Sequence, residues 1–166
     1  ELAARLIPAQ NEALAAVAAA HPDRFVALAS VALQHPDLAA QHLQEAFDRH
    51  GMRGAGIGPT VGSDELSAPK FDPFWAKAES LGYDYLLTGE HISFHGPTPN
   101  TLISLAAAAA VTERIKLLSG IVLVPLYPPA LLAKLIATLD TVSLGRYCFG
   151  IGIGGENPRE FEAVGV

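Results

Sequence analysis

Short apolar runs alternate along this chain with longer segments in which apolar residues recur at helical spacing. A short apolar run bounded by turn-forming residues predicts a buried strand, whereas apolar residues three and four positions apart predict an amphipathic helix. The pattern predicts strands over residues 25–32, 52–58, 83–88, 115–124 and 147–153. It predicts helices over residues 9–20, 37–50, 73–81, 100–112 and 129–142.

Strands that alternate with helices indicate right-handed βαβ units, which place the strands in a parallel sheet covered on both faces. We therefore predict an α/β fold in which about five parallel strands alternate with helices. The chain of 166 residues is long enough for one sizeable core, so we expect a single domain over residues 1–166. The alternation alone leaves open whether the sheet is open or belongs to a closed barrel, and a complete eight-stranded barrel takes about 250 residues.

The charge pattern argues against two classes of partner. The formal net charge is −6, and no run of lysine or arginine breaks the mixture of acidic and basic residues. Such a surface does not attract phosphate backbones or anionic lipids, so we expect no nucleic acid and no membrane partner. The longest apolar stretch without charge, residues 117–133, contains three prolines and predicts no transmembrane helix. Cys148 is the only cysteine, which excludes an internal disulfide and favours a cytoplasmic protein.

Titratable residues follow one of the predicted strands, and closely spaced glycines lie at the end of another. Glu90 and His91 come directly after the strand over residues 83–88. The carboxyl ends of parallel strands face the ligand crevice, so this pair is well placed for chemistry, although a loop histidine bonded to backbone is the alternative. Gly150, Gly152 and Gly155 have the G-x-G-x-x-G spacing of a dinucleotide phosphate turn, but that match taken alone is weak.

Several further motifs follow one another from residue 78 to the end. They are Ala-Glu-Ser-Leu-Gly-Tyr-Asp at 78–84, Gly-Glu-His at 89–91, Ala-Ala-Val-Thr-Glu-Arg-Ile-Lys-Leu at 109–117, Gly-Ile-Val-Leu-Val-Pro at 120–125, Leu-Asp-Thr-Val-Ser-Leu-Gly-Arg at 139–146, Gly-Ile-Gly-Ile-Gly-Gly at 150–155 and Glu-Phe-Glu-Ala-Val-Gly at 160–165. This ordered series resembles the luciferase-like, flavin- or deazaflavin-dependent monooxygenase family over residues 78–166. The resemblance implies a partial (β/α) barrel of the TIM type.

The resemblance also implies a cofactor and a set of site residues. It implies FMN or a deazaflavin coenzyme, whose ring would lie over the carboxyl ends of the strands, and a small-molecule substrate. It gives catalytic roles to His91, which would move a proton, and to its neighbour Glu90. The cofactor-binding residues that it implies are Ile121, Val122, Leu123, Val124, Gly152, Gly154 and Gly155. It places a bulge or a non-prolyl cis peptide at 120–125, where an ordinary buried strand ended by Pro125 is the alternative. For the glycines at 150, 152 and 155, we favour the end of a strand over a phosphate turn.

The turn before the last predicted strand departs from the pattern of the resembling family. That family usually has a glycine at the position of Leu144, and a leucine resists positive φ. Asp140 and Arg146 flank this turn at the amino-terminal face of the sheet, so we expect them to have structural roles.

The earlier part of the chain carries different motifs. They are His-Pro-Asp-Arg-Phe at 21–25, Leu-Ala-Ala at 38–40, Gly-Met-Arg-Gly at 51–54 and Phe-Asp-Pro-Phe-Trp at 71–75. Over residues 1–82 they resemble the metal-dependent amidohydrolases related to aminocarboxymuconate semialdehyde decarboxylase, which are also (β/α) barrels. The chain therefore looks like a hybrid whose parts join near residues 78–82. The His-x-His metal pair of those enzymes does not occur in the sequence, so we predict no metal site and expect His21, His35, His42 and His50 on the surface.

Three functions remain open at this point. The first is a luciferase-like oxidoreductase, incomplete and weakly active or inactive as an isolated chain. The second is an amidohydrolase-like, metal-dependent hydrolase or decarboxylase, and the third is a non-catalytic α/β segment that self-associates. Because part of a barrel leaves unpaired sheet edges and apolar surface, we expect a homo-oligomer.

Overall fold

The computed structural model describes residues 2–93, 98–155 and 157–166. The helices are α1 (Leu2–Ala20), α2 (Pro36–His50), α3 (Asp72–Leu81), α4 (Thr101–Ala110), α5 (Pro129–Val142) and α6 (Pro158–Val164), with short 3-10 helices at Pro69–Phe71 and Val124–Leu126. The strands are β1 (Ala29–Ser30), β2 (Gly54–Gly56), β3 (Thr60–Val61), β4 (Asp64–Glu65), β5 (Tyr85–Thr88), β6 (Lys116–Ser119), β7 (Val122–Leu123), β8 (Tyr147–Cys148) and β9 (Ile151–Gly152).

Five strands form the central sheet in the order β1-β2-β5-β6-β8, and every neighbouring pair is parallel. This spatial order repeats the order along the chain. A barrel has that property, whereas the order reverses at a switch point in a doubly wound sheet. The prediction of an α/β fold with five parallel strands in part of a barrel is therefore confirmed.

The two faces of the sheet are covered to different extents. One row of paired residues, which includes Ala55, Leu86 and Leu117, is buried. In the next row, Leu87 and Leu118 point to the opposite face and are only partly buried. The structure thus differs from the prediction of a sheet covered on both faces, because helices cover one face and the face that would line a barrel is open.

The structure divides two of the predicted strands. The segment predicted over 115–124 splits into β6 and β7, and the segment predicted over 147–153 splits into β8 and β9. β6 pairs with β8, and β7 pairs with β9 in a separate two-stranded sheet. A Cβ atom at Gly150 would lie 1.9 Å from the carbonyl oxygen of Ser119, so the two segments approach each other closely where they divide. The segment predicted over 25–32 is also shorter, since only β1 pairs there.

Two buried side chains in the first half of the chain form hydrogen bonds to the main chain, one at the edge of the sheet and one in the core. Asn11, which is 3% exposed, donates to the carbonyl oxygen of Ser30 at 3.0 Å and accepts from its N–H at 2.8 Å. The asparagine amide thereby covers the outer edge of β1 in place of another strand. Trp75 is buried and donates from its indole nitrogen to the carbonyl oxygen of Leu66 at 2.9 Å. This tryptophan therefore belongs to the hydrophobic core.

One of the histidines predicted to lie on the surface is buried. His42 is 2% exposed because it lies on the inward face of α2 beside Ala39, Leu43 and Ala46. Its Nδ1 accepts a hydrogen bond from the N–H of Ala32 at 3.3 Å. Burial lowers the pKa of this histidine, although nearby Glu45 acts in the opposite direction. The surface prediction was wrong for His42.

The turn between α5 and β8 places a leucine at positive φ, a conformation that leucine resists. Leu144 has a φ of 56° and a side chain that is 86% exposed. Arg146 donates to the carbonyl oxygens of Ala109, Thr112 and Ile115, each at 3.0 Å. The guanidinium group therefore ties the end of α4 to β8, which agrees with a structural role.

No helix in the described ranges is long and apolar enough to cross a membrane.

Candidate functional site

A cleft of about 480 Å³ lies at the carboxyl ends of β5, β6 and β9. Seven of the predicted site residues line it, namely Glu90, His91, Ile121, Leu123, Gly152, Gly154 and Gly155. Val122 and Val124 do not line it. The side chain of Val122 is fully buried in the core, and Val124 lies in the following 3-10 helix beside a different groove.

His91 is held by a carboxylate that is distant in sequence. Its Nδ1 lies 3.2 Å from both carboxylate oxygens of Glu160, and its side chain is 27% exposed. Glu160 lies in the first turn of α6 and is 2% exposed. An ionised carboxylate can only accept hydrogen bonds, so this pairing assigns the Nδ1 proton to the histidine.

Glu160 also binds the main chain after β5. Its Oε1 accepts from the N–H of Ile92 at 2.5 Å and from the N–H of Ser93 at 3.2 Å. Burial alone would raise the pKa of Glu160, but the hydrogen bonds from His91 and from these two N–H groups outweigh it and lower the pKa. The carboxylate is therefore ionised at neutral pH and fixes both the imidazole and its loop.

Glu90 is the second carboxylate of the cleft, and it is 4% exposed. Its Oε1 accepts from the amide of Asn100 at 2.9 Å and from the hydroxyl of Tyr127 at 2.5 Å, and its Oε2 accepts from the N–H of Leu123 at 3.2 Å. Burial raises the pKa of Tyr127 first, and its hydrogen bond to Glu90 raises the pKa further. The tyrosine therefore remains a donor to this carboxylate.

Glycines shape the floor of the cleft. A Cβ atom at Gly152 would lie 1.5 Å from Cδ1 of Ile121, so the missing side chain makes room for the isoleucine. Ile121 is 38% exposed, and the peptide bond between Gly120 and Ile121 is cis, at the place where the resemblance implied a bulge or a cis peptide. Gly152 belongs to β9, and the helix that follows begins only at Pro158. The glycines therefore end a strand, as we favoured over a phosphate turn.

Sequence reasoning missed three residues of the site, namely Asn100, Tyr127 and Glu160. Glu160 begins the Glu-Phe-Glu-Ala-Val-Gly motif at 160–165, but 69 positions separate it from His91, and no local pattern joins the two. Asn100 carries a signal that could have been used, since an asparagine directly before a helix predicts a cap. Its Oδ1 does accept from the N–H groups of Leu102 and Ile103.

Among the residues that the structure describes, no three histidine, cysteine, aspartate or glutamate side chains lie together as possible ligands of a metal ion.

The chain matches two family models. Residues 71–166 match the luciferase-like monooxygenase model, and residues 1–114 match the amidohydrolase model. The pyrimidine monooxygenase of Pseudomonas syringae is 31% identical over 97 residues, which cover 54% of this chain and 26% of that enzyme. The chain spans between 18% and 29% of the length of the curated relatives that it matches.

Solved structures of both kinds are similar to the chain. The oxygenating constituent of 3,6-diketocamphane monooxygenase from Pseudomonas putida, a type II Baeyer–Villiger monooxygenase solved with FMN, is 33% identical, with a TM-score of 0.51, and covers 57% of this chain and 26% of its own. A tetrahydromethanopterin reductase from Methanopyrus kandleri, which depends on a deazaflavin coenzyme, is 29% identical, with a TM-score of 0.51 and coverage of 68% and 29%. The 5-carboxyvanillate decarboxylase of Sphingomonas paucimobilis shares the fold, with 17% identity, a TM-score of 0.65 and coverage of 98% and 58%.

The two family matches overlap over residues 71–114, a range that includes the predicted junction at 78–82. The cleft and both of its carboxylates lie within the range of the first family. The chain thus belongs to the luciferase-like monooxygenase family through residues 71–166 and to the amidohydrolase family through residues 1–114.

Proposed function

We propose that the chain forms part of the active site of a luciferase-like oxidoreductase that uses FMN or a deazaflavin coenzyme on a small-molecule substrate. The observation that carries this proposal is the His91–Glu160 pair at the side of an apolar, glycine-rich cleft. The cleft lies where ligands bind in parallel (β/α) folds, at the carboxyl ends of the strands.

The residues of the cleft fit the ring of such a cofactor. Ile121 and Ile153, which are 38% and 79% exposed, offer apolar surface to a flat ring. Apart from its chain neighbours, no described residue has an atom within 4 Å of the position that a Cβ of Gly155 would take, which leaves room there for a ring edge. The volume of about 480 Å³ lies within the range of pockets that hold small molecules. Ile121, Leu123 and the glycines would therefore hold the ring.

His91 supplies the protein's own chemistry in this proposal. The bound cofactor would transfer hydride or activate oxygen, which side chains alone do not do. His91 moves a proton at the side of the cleft, and Glu160 keeps its Nδ1 protonated and its ring oriented. Ile92 and Ser93 donate to the same carboxylate and hold the loop in which the histidine lies.

The size of the chain limits what we expect from it alone. It spans only part of the length of its curated relatives, 29% of one pyrimidine monooxygenase for example, so weak or absent turnover is the expected behaviour of the isolated chain. The partly buried face at Leu87 and Leu118 supports self-association as a further expectation. Light scattering measures the oligomeric state.

The experiment is a fluorescence titration of the chain with FMN and with a deazaflavin coenzyme, comparing wild type with His91→Ala. His21→Ala is the matched control, because His21 is exposed and lies outside the cleft. Saturable binding that weakens only in His91→Ala supports the proposal. No binding to either cofactor, together with stoichiometric zinc or manganese in the purified chain, would favour the amidohydrolase alternative that residues 1–114 suggest.

A further inference from the structure

The carboxylate of Glu90 connects three separate segments at the carboxyl end of the sheet. Its partners are Asn100 at the start of α4, Leu123 in β7 and Tyr127 before α5. Three donors therefore occupy three of the roughly four acceptor positions of this buried carboxylate. His91, by contrast, pairs with the carboxylate of Glu160 and has a side chain that is 27% exposed.

Each of the three partners donates to Glu90. The main-chain N–H of Leu123 has no acceptor capacity. The Oδ1 of Asn100 already accepts from the first turn of α4, so its NH₂ group faces Glu90. That NH₂ group also donates to the hydroxyl oxygen of Tyr127 at 2.5 Å, which directs the tyrosine proton toward Glu90. Both oxygens of Glu90 therefore accept hydrogen bonds from donors that the surrounding segments hold in place.

The hydrogen bond from Leu123 connects Glu90 to the strand β7, which lines the cleft. β7 has two residues, and the N–H of Val122 already donates to the carbonyl oxygen of Gly150 on the side of β9. The next N–H, that of Leu123, points the other way and has Glu90 as its acceptor. Glu90 thus binds the edge of β7 that faces away from β9. Leu123 in β7 and Ile121 directly before it both line the cleft.

We infer that Glu90 is a positioning residue, which fixes the main chain of Leu123 and thereby the floor of the cleft, and does not exchange protons with a ligand. Only the expected effect of Glu90 on FMN binding rests on the proposed function; its effect on the main chain of Leu123 does not. It gives the two neighbouring residues of the Glu90–His91 pair different tasks, since His91 alone moves a proton.

The test compares wild type with Glu90→Gln, in which an NH₂ group replaces one acceptor oxygen. Amide hydrogen exchange is measured at Leu123, with the amide of Val122 in the same strand as the internal reference. We expect exchange at Leu123 to become roughly tenfold faster, as for the loss of a hydrogen bond to a charged acceptor, while exchange at Val122 changes little. FMN affinity should fall measurably, by roughly threefold to tenfold, for the same reason.

Two further variants serve as comparisons. Tyr127→Phe removes one donor but leaves the Leu123 contact, so exchange at Leu123 should rise less than in Glu90→Gln. Glu113→Gln is the matched control, because its side chain is exposed and lies outside the cleft. Unchanged exchange at Leu123 in Glu90→Gln, or an equal rise at Leu123 and Val122, would overturn the inference.

The ligand measurements separate this inference from the proposed function. Faster exchange at Leu123 with unchanged FMN affinity would refute the link between Glu90 and the cleft floor. A pH dependence of FMN binding that disappears in Glu90→Gln would also overturn the inference, because it would show that Glu90 itself exchanges a proton. If wild type binds no FMN, the proposed function fails, and exchange at Leu123 still decides whether Glu90 positions the strand.

Discussion

Replacing Glu160 by glutamine exchanges one oxygen for an NH₂ group, and we expect this small change to destabilise the fold strongly. The carboxylate is 2% exposed and accepts from His91, from the N–H of Ile92 and from the N–H of Ser93. Hydrogen bonds to charged groups contribute about 1.5–3 kcal/mol each, whereas neutral ones contribute about 0.5–1.5 kcal/mol. Glutamine keeps one acceptor oxygen and presents an NH₂ group to the remaining donor, so we expect a loss of roughly 2–3 kcal/mol in the free energy of unfolding.

Urea denaturation measures this loss, and Glu162→Gln is the matched control on the same helix because its side chain is exposed. For a chain of this size, a loss of that magnitude lowers Tm by about 5–10 °C. Unfolding of Glu160→Gln and Glu162→Gln at the same urea concentration would refute this contribution of the Glu160 hydrogen bonds.

The same substitution should change how stability depends on pH. The folded-state pKa of Glu160 lies below its ordinary value of 4.5, so its contribution is fully present above that pH and is lost as the pH falls through the lowered folded-state pKa. The stability difference between wild type and Glu160→Gln should therefore shrink in acid. The pKa of Glu79 is also lowered, because hydrogen bonds from the N–H groups of residues 113–115 outweigh burial, but this contribution is common to both proteins and cancels.

Three further substitutions test the local geometry by urea denaturation. Leu144→Gly should stabilise the fold by about 0.5–1 kcal/mol, because leucine at positive φ costs about 1–2 kcal/mol and its exposed side chain loses little contact; no gain would show that the turn is unstrained. Asn11→Ala should destabilise by about 1–3 kcal/mol, since it leaves the N–H and carbonyl groups of Ser30 without this partner. Gly150→Ala should destabilise by at least about 1–3 kcal/mol, because its Cβ would collide with main chain at Ser119, and wild-type stability in this variant would contradict the close approach.

Local sequence patterns were sufficient for the order and type of the main elements. Apolar runs between helical segments identify the five strands, since a parallel sheet needs a crossover helix between them. The position of Glu90 and His91 directly after β5 was enough to place them at the cleft, because the carboxyl ends of neighbouring parallel strands meet at one edge of the sheet.

Contacts between distant segments could not be predicted in this way. The continuous apolar run over 115–124 conceals the division between β6 and β7, which depends on how closely Ser119 approaches Gly150. The burial of His42 depends on which face of α2 meets the sheet, and the short polar loop before residue 66 gave no sign of the β3–β4 hairpin. The pairing of Glu160 with His91 arises only when α6 packs against the loop after β5.

The most direct test of the proposed cleft is an NMR titration of the isotope-labelled chain with FMN, in which the amide signals are followed residue by residue. The proposal predicts saturable shifts at Ile121, Leu123 and Gly152–Gly155, with little change at the remote cavity beside Trp75 and Glu79. Absence of shifts at saturating FMN, or shifts confined to that remote cavity, would contradict a flavin-binding cleft at the carboxyl ends of these strands.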